Sequence, residues 1–153
     1  MKEGKKVIAV LPAYNAEQTL ERTLHDIPKD LFDLVILVDD ASRDGTVALA
    51  RKLGLHVVVH PRNRGYGGNQ KTCYRTALER GADIVVMIHP DYQYDPTCSP
   101  SLVAPILAGE ADCVLGSRML RSPERKGNMG NMPWWKFIGN KVLSGVENLV
   151  FGD

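Results

Sequence analysis

The stretch Leu34-Val35-Ile36-Leu37-Val38-Asp39-Asp40-Ala41-Ser42-Arg43-Asp44-Gly45-Thr46 decides the fold class. Leu34 to Val38 is an unbroken apolar run, the pattern of a strand buried on both faces. Two carboxylates close it at once. Ser42, Asp44 and Gly45 then supply turn and helix-start chemistry. A buried strand that runs through a polar loop into a helix is half of a βαβ unit.

The same alternation extends in both directions. Lys6 to Leu11 is a first strand, closed by Pro12. Asn15-Ala16-Glu17-Gln18 resembles a capping box, with Asn15 as N-cap and Gln18 reaching back, and its helix runs to about Ile27 before Pro28. Gly45 to Leu53 is helical, with Gly54 suited to its C-cap. His56 to His60 is a third strand, Gly68 to Arg80 a helix ended by Gly81, Asp83 to Ile88 a fourth strand and Asp112 to Leu115 a fifth. The expectation is an α/β fold: one mostly parallel sheet with helices on both faces, in a single domain over residues 1–153.

Composition narrows the function. Nineteen Lys and Arg against eighteen Asp and Glu leave a formal charge of +1. That balance creates no general field for nucleic acid. Cys73, Cys98 and Cys113 are an odd set without a CxxC pair, and read as free thiols in a reducing compartment. The run Val7 to Leu11 is too short for a signal peptide, and no stretch reaches the roughly 18 apolar residues of a membrane span. The expected location is cytoplasmic.

Polar motifs sit where each strand ends: Pro12-Ala13-Tyr14-Asn15, then Asp39-Asp40, Asn63-Arg64-Gly65-Tyr66-Gly67-Gly68, His89-Pro90-Asp91-Tyr92-Gln93-Tyr94-Asp95-Pro96 and Gly116-Ser117-Arg118. In an open parallel sheet these carboxyl ends form the ligand crevice. Asp39 and Asp40 are costly at the end of an apolar strand unless something pairs with them. They can accept bonds from a ribose diol or a base N–H, or hold a metal; the alternative is a turn and helix cap, for which Asp44 is the candidate. Gly65 to Gly68 is not a dinucleotide fingerprint, because it does not follow the first strand and Gln70 stands where the third glycine belongs. It reads as a turn whose amides can face an anion, flanked by Arg64 and Lys71. His56, His60 and Cys73 have no metal-ligand spacing and read as structural. Asp91 follows a very apolar strand, near His89 and Asp95. A hard cation needs only one or two such carboxylates when phosphate oxygens complete its shell, and His89 suits Mn²⁺ better than Mg²⁺. Asp91 also suits an Asx-turn and Asp95-Pro96 a second turn, and both readings hold together.

Taken in order, Pro-Ala-Tyr-Asn, Val-Asp-Asp-Ala-Ser-Arg-Asp-Gly-Thr, Asn-Arg-Gly, Asp91 with Gln93 and Asp95-Pro96, and Gly-Ser-Arg resemble the family 2 glycosyltransferases, most of all their polyprenyl- or dolichyl-phosphate sugar synthase branch. The resemblance covers residues 6–153. It implies a GT-A fold, a UDP- or GDP-sugar donor, a divalent metal (Mg²⁺ or Mn²⁺), and inversion at the sugar carbon. It places Pro12, Ala13 and Tyr14 along the nucleotide, Glu17 near it, Asp40 with Asp39 on the base or ribose, Lys71 beside the donor, Asp91 on the metal, Gln93 on the donor and Arg118 on a phosphate. One position departs from the family's Asp-x-Asp: the chain reads His89-Pro90-Asp91, so metal affinity is expected to fall unless His89 itself coordinates or Arg118 and its neighbours take over charge neutralisation. A hydroxyl acceptor would need a carboxylate base, for which Asp91 and Asp95 are available; a phosphate acceptor needs little base help.

Beyond Arg118, Arg121, Arg125 and Lys126 form a basic loop, and Trp134-Trp135 lead an amphipathic helix through Val150. The helix packs on the chain's own core or on downstream residues, lies at a membrane interface, or pairs two copies. The family's acceptor-side residues follow a segment like Asn140–Gly152, so a chain stopping at Asp153 is expected to bind donor better than it turns over. Three functions follow. One is a sugar transferase with a lipid-phosphate or cell-envelope glycan acceptor, peripheral to the inner membrane face. The others are a non-catalytic nucleotide-sugar-binding module and a different enzyme such as a sugar nucleotidyltransferase. The last would want a Gly-rich basic first loop, which Pro12-Ala13-Tyr14-Asn15 is not.

Overall fold

A computed structural model describes residues 4–117. The elements run β1 (Val7–Ala13), α1 (Glu17–Asp26), β2 (Leu34–Asp39), α2 (Thr46–Lys52), β3 (His56–Val59), α3 (Gly65–Glu79), β4 (Ile84–Met87), a 3₁₀ turn at Pro96–Cys98 and α4 (Ser99–Leu107). All strand pairs are parallel, in the order β3-β2-β1-β4.

Period-two alternation explains the layering. On β1, Val7, Ala9, Leu11 and Ala13 point to one face, where they meet Leu20 of α1, Ala50 of α2 and Val103 of α4. Ile8 and Val10 point to the other face and, with Ile36 and Val38 of β2, meet Cys73 and Ala77 of α3. Every β1 residue is therefore buried, which is why the strand carries no polar residue. Burial pushes the Cys73 thiol up to about 12, so this sulfur is an inert core atom.

Three local expectations are corrected. Pro12 does not end β1, which continues to Ala13. The Val10 carbonyl accepts from Ile88 on the β4 side, and the Ala13 carbonyl accepts from Asp40 on the β2 side. Alternation turns position 12 toward β4, so the missing N–H ends the pairing with that strand at Met87 but leaves the β2 ladder intact to Ala13. Secondly, α1 starts at Glu17 with Ala16 as N-cap and no capping side chain of its own. Asn15 lies in the left-handed region at φ 51° and is not the cap. The first amides are served from the β2–α2 loop: Thr46 Oγ1 accepts from Ala16 at 2.7 Å and Asp44 Oδ2 from Glu17 at 3.1 Å. Thirdly, Asp112 to Leu115 forms no strand. Leu115 is 85 % exposed, and four residues without a ladder partner do not hold an extended pairing.

The strand order places the site. The chain steps outward from β1 through β2 to β3, then returns to lay β4 on the other side of β1. The reversal opens a crevice at the carboxyl ends of β1 and β4.

Candidate functional site

The floor of this edge is built around two adjacent acids with different surroundings. Asp39 ends β2 and is fully buried. Its Oδ2 accepts from the Ser42 amide at 2.9 Å. Its Oδ1 is the one buried side-chain oxygen or nitrogen among the described residues without a hydrogen-bond partner. Such an atom is costly unless a ligand or water donates to it.

Asp40, 3 % exposed, is fully engaged by the protein. Its Oδ1 accepts from His60 Nδ1 at 2.7 Å and from the Arg64 amide at 2.8 Å. Burial alone would push this carboxyl up. The bonds from His60 and from the Arg64 and Gly65 amides outweigh burial and hold it below its ordinary value. His60 Nε2 continues to Thr72 Oγ1 at 3.0 Å, so the pair ties β2, β3 and α3 together. The anion facing the start of α3 is thus the protein's own Asp40 rather than a bound ligand. The helix begins at Gly65, three residues before the expected start.

The β2–α2 loop is closed by further carboxylates. Asp44 Oδ1 accepts from the Thr46 amide at 3.0 Å, closing a turn just ahead of α2, whose N-cap position is Gly45 rather than the expected Asp44. Burial raises the Asp44 carboxyl, but its bonds from Thr46 and Glu17 win and hold it low. Glu17 Oε2 accepts from the Gly45 amide at 2.8 Å. A β-carbon on Gly45 would stand 2.3 Å from Glu17 Oε1, so a larger residue there would displace the Glu17 carboxylate from this bond. Glu17 is exposed, with its carboxylate held on the β2–α2 loop. Asn69 of α3, buried, donates to the Val38 carbonyl at 3.0 Å and the Ala13 carbonyl at 3.4 Å, holding the ends of β2 and β1 together from below. Above them Pro12 and Ala13 are buried, while Tyr14 is 51 % exposed and available to a ligand.

The β4 loop is held differently. Asp91 Oδ1 accepts from the Gln93 amide at 3.0 Å, the expected Asx-turn. Asp95 Oδ1 accepts from Thr97 at 3.0 Å and caps the 3₁₀ turn, so its carboxylate is engaged structurally. Tyr92 sits at φ 60° between them. Its hydroxyl donates to Asp26 of α1, and Arg22 lies 3.7 Å from its ring centroid. Thr19 Oγ1 donates to the Pro90 carbonyl. On the other side, His89 Nε2 lies 3.1 Å from the Tyr66 hydroxyl of α3.

The structure thus gathers Tyr14, Asp39, His89, Asp91 and Gln93 at the carboxyl edge. Lys71 is exposed on the side of α3 opposite Asn69, Cys73 and Ala77, and is not drawn into the group. Arg118, the basic loop at Arg121, Arg125 and Lys126, and the helix expected over residues 134–153 lie outside the described residues. Among the described residues no three His, Cys, Asp or Glu side chains converge as a metal cage, and no helix is long and apolar enough to cross a membrane. Asp91 is exposed, and among the described residues no Lys or Arg pairs with it. A single free carboxylate fits a hard cation whose shell is completed by phosphate oxygens and water.

His60 is structural, as expected, and strand register explains its partner: Asp39 pairs with Val59, which puts Asp40 beside His60. Sequence reasoning missed Asn69 and Tyr66. No sequence signal marks Asn69 or Tyr66, because their roles depend on which turn of α3 passes under the strand ends.

Comparison with known proteins agrees with this geometry. Solved structures of glucosyl-3-phosphoglycerate synthase from Mycobacterium tuberculosis, one with uridine diphosphate and one with Mn²⁺, uridine diphosphate and glucosyl-3-phosphoglycerate, match with a TM-score of 0.60 and 33 % identity, over 71 % of this chain and 42 % of theirs. The UDP-N-acetylglucosamine–dolichyl-phosphate N-acetylglucosaminyltransferase of Methanococcus voltae is 30 % identical over 97 % of this chain and 64 % of its own. The undecaprenyl-phosphate mannosyltransferase of Micrococcus luteus is 32 % identical over 94 % of this chain and 58 % of its own. The chain therefore spans about three-fifths of the length of these two relatives. The model of glycosyl transferase family 2 matches residues 8–151. With its parallel sheet, its GT-A arrangement and its motifs in family order, this chain belongs to glycosyl transferase family 2.

Proposed function

We propose that this chain holds the nucleoside-diphosphate-sugar donor of a glycosyltransferase whose acceptor is a polyprenyl-type lipid phosphate. The observation that carries the reading is Asp39 Oδ1, a buried carboxylate oxygen with no donor at the edge where the strand order reverses. A base N–H or ribose hydroxyl would satisfy it. Asp40, already engaged by His60 and Arg64, would act as the wall that fixes Asp39 in place. Tyr14 would lie along the nucleotide, with Gln93 and Asp91 toward the diphosphate and sugar.

In the transfer, an acceptor phosphate oxygen forms a bond to the anomeric carbon from the face opposite the leaving group. The bond from that carbon to the diphosphate oxygen breaks, its electron pair stays on the nucleoside diphosphate, and the sugar configuration inverts. The acceptor is already anionic, so no proton is removed and no carboxylate base is required. Asp91 would hold a divalent ion, Mn²⁺ or Mg²⁺, which supplies positive charge to the departing diphosphate when bound. Asp95 would keep the loop in shape through its cap. The lipid phosphate is supported by the two relatives whose names state dolichyl or undecaprenyl phosphate. It implies work at the inner membrane surface.

Thermal unfolding with UDP, GDP and CDP, each with and without Mn²⁺ or Mg²⁺, tests the reading. One diphosphate should raise Tm in proportion to its occupancy, since it binds only the folded chain. No shift with any of them refutes it. A shift without release of nucleotide from the matching sugar donor and polyprenyl phosphate would make the chain a binding module.

A further inference from the structure

We propose that His89 serves the site as a fixed N–H donor rather than as a metal ligand. The argument begins at Tyr66. Gln70 Nε2 donates to the Tyr66 hydroxyl at 3.2 Å and lies 3.4 Å from Met87 Sδ. A thioether sulfur accepts weakly and donates nothing, so the amide's NH₂ end belongs on this side. The Tyr66 oxygen, accepting from Gln70, has one proton to place. His89 Nε2 is 3.1 Å away and Met87 Sδ 3.9 Å. The ring nitrogen is both nearer and the stronger acceptor, so Tyr66 donates to Nε2. In a neutral imidazole the remaining proton then resides on Nδ1. One nitrogen has its lone pair occupied and the other carries hydrogen, so neither is free to ligate a metal.

What the ring offers is an N–H, held between Tyr66 and Tyr94 at centroid distances of 5.4 and 5.7 Å. An acid at this position would repel a diphosphate unless a cation stood between them. An N–H attracts an anionic oxygen directly. The His89-Pro90-Asp91 motif thus divides the work: Asp91 remains for the metal, and His89 takes a ligand oxygen. This role rests on the nucleotide-sugar reading above.

A ligand-free arm tests the tautomer. Long-range ¹H–¹⁵N spectra of the 153-residue chain, recorded well above the ordinary imidazole value of about 6.5, should show His89 protonated on Nδ1 and bare on Nε2. Tyr66→Phe should return the proton toward Nε2. A wild-type ring protonated on Nε2 overturns the proposal. A second arm titrates UDP with and without Mn²⁺. His89→Ala should weaken UDP by about tenfold in both conditions, the range for one hydrogen bond to a charged group. His89→Asn, which keeps an N–H near the Nδ1 position, should recover most of that affinity. His89→Asp should make UDP binding strongly dependent on Mn²⁺. If His89→Ala instead abolishes only the Mn²⁺-dependent part of the affinity, His89 is a metal ligand and the proposal fails. If wild type binds none of UDP, GDP and CDP, the donor role falls with the nucleotide reading, while the first arm still decides the tautomer; if it binds GDP or CDP instead, that diphosphate replaces UDP in the second arm.

Discussion

The loops that follow β2 and β4 lie on the same edge of one sheet, yet they are ordered by different means. The β2 loop is held by short carboxylates that accept backbone amides: Asp39 from Ser42, Asp44 from Thr46, Glu17 from Gly45 and Asp40 from Arg64. Asp39 and Asp40 are buried beside the core, Asp44 and Glu17 are exposed, and none of the four can move without leaving an amide unpaired. The β4 loop has two such local turns, at Asp91 and Asp95, and is tied in addition to two separate helices by longer side chains. Tyr92 reaches α1, and His89 meets Tyr66 of α3. Asp91, between these two attachments, is exposed. The first loop is a preformed cradle. The second is a strap whose exposed carboxylate, on the proposed function, would adjust as a metal and a sugar arrive. The difference follows from side-chain length and burial.

The comparison breaks most easily at Asp40. Asp40→Ala leaves His60 buried without its carboxylate, and should cost about 3 kcal/mol of stability, the range for removing one partner of a buried pair. Urea unfolding measures it, and a loss below about 1 kcal/mol would mean the cradle is not rigid. Asp39→Asn should separate binding from folding. Nucleotide affinity should fall by roughly tenfold or more, as expected for a lost bond to a charged acceptor, with a smaller stability change than Asp40→Ala. Calorimetric titration against the nucleoside diphosphate decides this.

On the strap side, Asp91→Asn should remove the metal-dependent part of nucleotide affinity, by about tenfold on the usual scale for losing a coordinating interaction, while unfolding in urea hardly changes. Tyr92→Phe should cost only about 0.5–1.5 kcal/mol and raise amide exchange in residues 89–95 without disturbing residues 39–46. Equal exchange in both loops would erase the distinction.

The pH dependence should also fall on the cradle. Asp40 and Asp44 have folded values below the ordinary 3.8. A depressed carboxylate contributes its full stability above the unfolded value and loses it as pH falls through the folded one. The urea midpoint should therefore hold steady from neutrality to about pH 5 and drop below about pH 4. Asp26, bonded by His25 and Tyr92, is held below its ordinary value too, so the β4 loop's attachment to α1 should weaken in the same range.

Much of this was legible in the residues. Unbroken apolar runs at Val7 to Leu11 and Leu34 to Val38 declare strands buried on both faces, because only a doubly covered parallel sheet tolerates them. Polar segments after each strand declare the ligand edge. Asp44 in a turn ahead of α2, Asp91 in an Asx-turn and Asp95 before Pro96 follow from local chemistry within two or three residues, and the structure has all three turns, though the α2 N-cap itself is Gly45. What failed were features settled across the sheet. Pro12 reads locally as a stop, but its missing N–H ends only the pairing with β4, while the pairing with β2 runs on to Ala13. Asn15 reads locally as a cap, but Thr46 and Asp44 reach the α1 amides from another loop.

By itself, then, the sequence determined the fold class, the edge where the polar loops collect and the kinds of side chain found there, since these depend on periodicity and on polar residues placed next to apolar runs. Only the tertiary structure decided which of two adjacent aspartates keeps an oxygen unmatched and that Tyr66 stands against His89. Asp39 and Asp40 are chemically identical. One differs from the other only because strand register sets His60 and the start of α3 against Asp40, and leaves one oxygen of Asp39 unmatched. Hydrogen-bond partners more than twenty residues away in the chain make that choice, and no local pattern encodes it.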